Sequence, residues 1–124
     1  MQPDIEIYLL SCSNDKIIEW LQASFNIIEQ KEISTHLISL KVSHQEGEFE
    51  IQILEQAAGK RFTSVWLNTD QTPWQSDVEC AKAAYAALNC EVRCNMASWS
   101  ETEEQDPDQW WHINQYEEGP FIWR

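Results

Sequence analysis

His36-Leu37-Ile38-Ser39-Leu40-Lys41-Val42-Ser43-His44, followed by Gln45-Glu46-Gly47 and then Glu48-Phe49-Glu50-Ile51-Gln52-Ile53, is the stretch that decides the fold. In its first arm His36, Ile38, Leu40, Val42 and His44 share one parity, and Leu37, Ser39, Lys41 and Ser43 the other. In the second arm Phe49, Ile51 and Ile53 alternate with Glu48, Glu50 and Gln52. A period of two is that of a strand with one face buried, and the turn residues between the arms predict a hairpin.

Towards the N-terminus, Asp4-Ile5-Glu6-Ile7-Tyr8-Leu9-Leu10 alternates and then becomes apolar, as a strand entering a core does. Ser13 or Asn14 can cap a helix over about Asp15 to Phe25, where Ile17, Ile18, Leu21 and Phe25 recur at helical spacing. Ile27 to Ile33 can form a strand. Towards the C-terminus, Ala57 to Lys60 breaks the pattern and Phe62 to Leu67 resumes it as a strand rich in β-branched and aromatic residues. After a polar loop from Asn68 to Pro73, Ser76 and Glu79 make a capping box. The helix it opens carries the stripe Ala81, Ala84, Tyr85 and Leu88 and ends near Asn89.

Glu91 to Met96 alternates as a further strand. Ser98 to Asp108 is polar and acidic, the composition of an exposed loop. Trp110 to Asn114 and Phe121 to Trp123 then read as two short strands around a turn at Glu117-Glu118-Gly119-Pro120. The order β-α-β-β-β-α-β with a terminal ribbon predicts an α+β domain over residues 1–124. Two helices would pack on one face of a mostly antiparallel sheet, in a ferredoxin-like or related sandwich.

With 124 residues the chain has the length of one domain, and 43% hydrophobic residues suffice for a core. Its 21 acids against 8 bases give a formal charge of −13. Such a field repels nucleic acid and anionic membranes and favours a basic partner, although a solubilising surface accounts for it equally. The N-terminus lacks the basic start and cleavage site of a signal peptide, so a cytoplasmic protein is expected. In a reducing compartment Cys12, Cys80, Cys90 and Cys94 are expected as thiols.

The spacing Cys90-x-x-x-Cys94 does not suit structural zinc, since residues four apart on one strand lie about 13 Å apart. No metal, cofactor or catalytic residue is expected from this pattern. His36 and His44 sit at the ends of an apolar row without a recognisable nucleophile, and His112, between Trp111 and Ile113, reads as a packing or interface residue. Ser11-Cys12-Ser13-Asn14 is the best place for enzyme chemistry, because a helix N-terminus can lower a thiol's pKa. Its lack of glycines and the need for a cap favour the plainer role.

From Trp99 to Arg124 the chain holds seven carboxylates and four of its seven tryptophans. Trp74 and Asp77, together with Trp99, Glu101, Glu103, Glu104, Asp106, Asp108, Trp110 and Trp111, therefore form the candidate partner-binding surface. Indoles make binding hot spots and acids steer a basic partner, whereas the alternative places the rings in the core and the acids in a solvated loop.

Val65-Trp66-Leu67, Thr72-Pro73-Trp74, Asp77, Cys80-Ala81, Val92-Arg93-Cys94, Asp108, Trp110, Glu118-Gly119 and Ile122-Trp123 resemble the C-terminal pattern of small bacterial immunity-like or uncharacterised protein families. The resemblance covers about half the chain, carries no catalytic signature and implies a cytosolic binder that neutralises a toxin. Three readings follow: a non-enzymatic protein-binding domain, an enzyme centred on Cys12 with His36 or His44, and a homodimer whose indoles meet across a two-fold axis.

Overall fold

A computed structural model describes residues 4–45, 47–69, 72–95 and 109–123. Its strands are β1 (Ile5–Leu10), β2 (Asn26–Glu32), β3 (Leu37–His44), β4 (Gly47–Leu54), β5 (Phe62–Leu67), β6 (Val92–Asn95), β7 (Gln109–Ile113) and β8 (Glu118–Ile122). Helix α1 (Asn14–Ser24) follows β1, and α2 (Asp77–Leu88) follows β5. The strands form one eight-stranded sheet in the order β2-β3-β4-β5-β1-β6-β7-β8, with every neighbouring pair antiparallel. Between the helices stand four strands, which match the four segments read from Ile27 to Leu67 and are one more than the order β-α-β-β-β-α-β counts; Asn26–Glu32 pairs with β3 along the sheet's edge.

Both helix starts are fixed by serine caps. Ser13 Oγ accepts from the Lys16 amide at 3.4 Å, and Ser76 Oγ from the Glu79 amide at 3.2 Å. Glu79 reaches back to the Gln75 amide at 3.2 Å, so the capping box closes one residue ahead of the cap. Asn89, in the left-handed conformation at φ 54°, ends α2.

Register and burial divide the sheet into two faces. Ile5, Ile7 and Leu9 of β1 lie across from Leu67, Val65 and Thr63 of β5, and Ile7 and Leu9 also face Cys94 and Val92 of β6. All are buried, and with Leu40, Val42, Ile51 and Ile53 they pack against Ile17, Trp20 and Leu21 of α1 and Val78, Cys80, Ala81 and Ala84 of α2. Both helices thus cover one face around a single core. The other parity, which includes Glu6, Tyr8, Ser64, Trp66 and Arg93, forms the face away from the helices.

The terminal hairpin turns earlier than its sequence suggests. Asn114 Oδ1 accepts from the amides of Tyr116 (2.8 Å) and Glu117 (3.0 Å), an Asx turn that places the reversal at 114–117. Glu118, Gly119 and Pro120, expected in the turn, instead lie in β8. Pro120 is tolerated there because β8 is an edge strand, whose outer side needs no amide donor. At the opposite edge β2 carries a bulge between Ile27 and Glu29 and the charges Glu29, Lys31 and Glu32, features that discourage edge pairing.

No helix among the described residues is long and apolar enough to cross a membrane. The expected acidic loop falls within 96–108, outside the described residues. The division of faces is testable by truncating one leucine on each. Leu67→Ala, at a fully buried position, should lower unfolding stability by about 2–5 kcal/mol. Leu54→Ala, 40% exposed on the other face, should cost less than about 1 kcal/mol in the same denaturant titration.

Candidate functional site

The face away from the helices has two unlike halves. Over β2, β3 and β4 it is polar and largely self-paired: Lys31 meets Glu29 at 3.8 Å, Lys41 meets Glu48 at 3.5 Å, and Ser39 donates to Glu50. Over β5, β1, β6, β7 and β8 it is aromatic. Cross-strand pairing sets Arg93 between Tyr8 and His112, Trp110 opposite Phe121, and Phe62 opposite Leu10.

Arg93 is the centre of this half. Its guanidinium carbon lies 4.5 Å from the Trp123 ring centroid, 4.7 Å from Phe62 and 4.8 Å from Phe121. Its Nε donates to Glu91 at 2.8 Å, and its side chain is only 19% exposed. Each cation–π contact contributes on the order of 0.5–2 kcal/mol, the more so as water is excluded. The ion pair holds the guanidinium in register between the rings.

Around this anchor the rings brace one another. Trp123 meets Trp110 at 4.9 Å and Phe62 at 4.9 Å, while Tyr8 makes edge contacts with Trp110 at 5.4 Å and Trp123 at 5.9 Å. Such pairs add about 0.5–1.5 kcal/mol each beyond area burial. His112 stacks on Phe121 at 4.4 Å with Nε2 3.2 Å from Glu117, which is the packing role its sequence context suggests. Tyr8 keeps its phenolic proton well into alkaline solution, because burial and the Glu6 carboxylate, to which it hydrogen-bonds, both push its pKa up.

Tyr8, Trp110 and Trp123, all half-buried, line a cleft with Ala58 of about 260 Å³. Ligand pockets commonly span about 300–1,000 Å³, so this one suits a single side chain better than a cofactor. Its walls are π faces and edges.

The residues singled out from sequence are distributed between the two faces. Trp110 belongs to the aromatic cleft, but Trp111, its neighbour on β7, points to the helix side, packs against the core and donates Nε1–H to Glu118 at 3.2 Å. Trp74 lies on that same side, stacked on Trp20 at 5.5 Å and edge-on to Phe25 at 5.8 Å. The three indoles therefore do not share one surface, because a strand sends successive side chains to opposite faces. Asp77 is 6% exposed and so presents no carboxylate to a partner. Trp99, Glu101, Glu103, Glu104, Asp106 and Asp108 lie outside the described residues.

Cys12 neighbours Cys90, and the two thiols influence each other's titration. His36 lies 3.9 Å from Glu55, and His44 packs on Phe25 at 5.0 Å. Among the described residues no three His, Cys, Asp or Glu side chains cluster to hold a metal ion. Tyr8, Phe62, Arg93, Phe121 and Trp123 were missed as site residues. Their signal was available in the aromatic residues at the strand parity opposite to the core. Comparison with known proteins gives no match to a family model, a curated protein or a solved structure.

Two measurements probe this electrostatics. Arg93→Met should lower stability by about 1–3 kcal/mol, since it removes the ring contacts and leaves Glu91 unneutralised, and adding Glu91→Met should restore part of the loss. Burial lifts the Asp77 pKa from 3.8 to about 7, with Asp4 and Glu6 adding to the rise and a backbone hydrogen bond from Glu6 opposing it. A raised native pKa means that the folded state binds the extra proton, so this group's contribution is greatest below about pH 4 and is lost as pH rises through about 7. Asp77→Asn should accordingly gain more than about 1 kcal/mol on the native chain between pH 4.5 and pH 8, read from denaturation midpoints at both.

Proposed function

We propose that this chain is a non-enzymatic protein-binding domain that recognises a basic protein surface by taking a lysine or arginine side chain into the Tyr8, Trp110 and Trp123 cleft. The cleft is the observation that carries the reading: three half-buried rings, braced by Arg93, surround a volume suited to one side chain. One of these rings, Trp123, already accepts a guanidinium from within the chain, that of Arg93. A net charge of −13 draws cationic partners and repels phosphate backbones. The sequence between β6 and β7 carries Glu101, Glu103, Glu104, Asp106 and Asp108, and these acids add to the negative charge that steers a basic partner.

The likeness to small bacterial immunity-like families gives this reading its biological form, a cytoplasmic inhibitor that covers a basic patch of a toxin. Four cysteines, all free, fit a reducing compartment. We also read the centre of the fold as ferredoxin-like. In support, β4-β5-β1-β6 with α1 and α2 follow that strand order, and β2-β3 and β7-β8 extend it at either end.

A titration of tryptophan fluorescence with an arginine-rich peptide, and with a copy carrying norleucine in place of arginine, tests the cleft. The arginine peptide should bind, and Trp110→Ala should weaken it by about 5- to 30-fold, the equivalent of about 1–2 kcal/mol. Neutralising Glu101, Glu103, Glu104, Asp106 and Asp108 should weaken it at low salt and have little effect at high salt. Equal affinity of the Trp110→Ala variant, or equal binding of the norleucine peptide, would reject the proposal.

A further inference from the structure

Cys12 and Cys90 lie apart from the aromatic face and are brought together by the backbone. β1 and β6 pair as far as Leu9 and Val92, and the Leu10 amide then donates to the Glu91 carbonyl at 3.0 Å. Ser11-Cys12 and Asn89-Cys90 therefore leave the sheet side by side. Ser11 (φ 51°) and Asn89 (φ 54°) turn both segments at that level, and the two thiols are near enough to shift each other's titration. Both cysteines are half-buried, whereas Cys80 and Cys94 are sealed in the core. Cys90 also borders an open polar cleft of about 280 Å³ with Tyr85, Asn114 and Tyr116, large enough to admit a small reagent.

The two sulfurs differ in character. Cys12 directly precedes the Ser13 cap, at the positive end of α1. The neighbouring Cys90 thiol lowers its pKa, and Lys16, one turn into the helix, lowers it further against the effect of burial. The Cys12 thiol, with burial, pushes Cys90 up. Of the two, Cys12 is the one placed at a helix N-terminus, the position that favours a thiolate.

We propose that Cys12 and Cys90 are a redox-active dithiol, with Cys12 as the attacking and Cys90 as the resolving sulfur, which low-molecular-weight disulfides convert to an intramolecular disulfide. In the first step the Cys12 thiolate attacks one sulfur of the small disulfide, forming a mixed disulfide and releasing one small thiolate. In the second, Cys90 gives its proton to that thiolate or to water and attacks Cys12 Sγ, releasing the second small thiol. Two protein thiols are oxidised and one disulfide is reduced to two thiols. The bond would tie the start of α1 to the end of α2 and so restrict the unfolded chain over a long loop.

Treating the full chain with oxidised glutathione at pH 7.5, followed by intact-mass and peptide mass spectrometry, tests this. The native protein should lose two hydrogens and yield a Cys12–Cys90 cross-linked peptide, with Cys80 and Cys94 alkylated only after unfolding, and its melting temperature should rise by several degrees. Cys90→Ser should retain a glutathione adduct on Cys12, and Cys12→Ser should form its adduct on Cys90 about tenfold more slowly. A lasting glutathione adduct on wild-type Cys12, a bond that includes Cys80 or Cys94, no reaction in the native chain, or equal adduct rates in the two variants would overturn the proposal. Because cross-link mapping uses the wild-type chain, it decides the matter even if either variant fails to fold.

Discussion

The pleat of β1 is the constraint on which the rest of this structure depends. Successive side chains of a strand must leave on opposite sides, so Ile5, Ile7 and Leu9 go to the helices while Glu6, Tyr8 and Leu10 go to the other face. Because β1 is flanked by β5 and β6, it passes that division to both neighbours through hydrogen-bonded register. A slip of one residue would exchange the faces, exposing fully buried Ile7 and Leu9 and driving the Glu6 carboxylate into the core. With each large apolar side chain contributing on the order of 1.5–3 kcal/mol by burial, the register has a steep energetic preference.

The aromatic half of the open face follows from that division and acts as a second, smaller packing centre. It is built around a cation, whereas the main core is built mostly from apolar side chains. Arg93 touches three rings and one carboxylate, and this combination fixes a group that would otherwise sweep through solvent. The rings brace each other in turn, so Tyr8, Trp110 and Trp123 are ordered before anything binds. Preorganisation of this kind lowers the conformational entropy that the proposed capture of a cationic side chain would cost. On the helix side, Trp20 and Trp74 stack and Trp111 packs against the core, and these rings serve the packing of α1, α2 and β7.

Much of the fold could be read from local pattern. The alternation from His36 to Ile53, the serine caps of both helices and the stripe of α2 all mark elements that form, because each signal is carried by residues near in sequence. The terminal hairpin was harder. Glu117 to Pro120 has turn composition, but the Asx turn of Asn114 reverses the chain earlier, and the edge position of β8 removes the objection to a strand proline. The site was less legible, since composition groups residues that the pleat separates: Trp110 and Trp111 are neighbours in sequence and occupy opposite faces. Arg93, Tyr8 and Phe62 come from three strands remote in sequence, as do Cys12 and Cys90 from two different loops, and only the assembled sheet brings them together.

The most direct measurement of the central claim is an NMR titration of the indole Nε1–H resonances with an arginine-rich peptide. The expected result is movement of the Trp110 and Trp123 signals together, with those of Trp20, Trp74 and Trp111 unmoved. Movement of the helix-side indoles instead, or an unchanged spectrum at saturating peptide, would contradict the account.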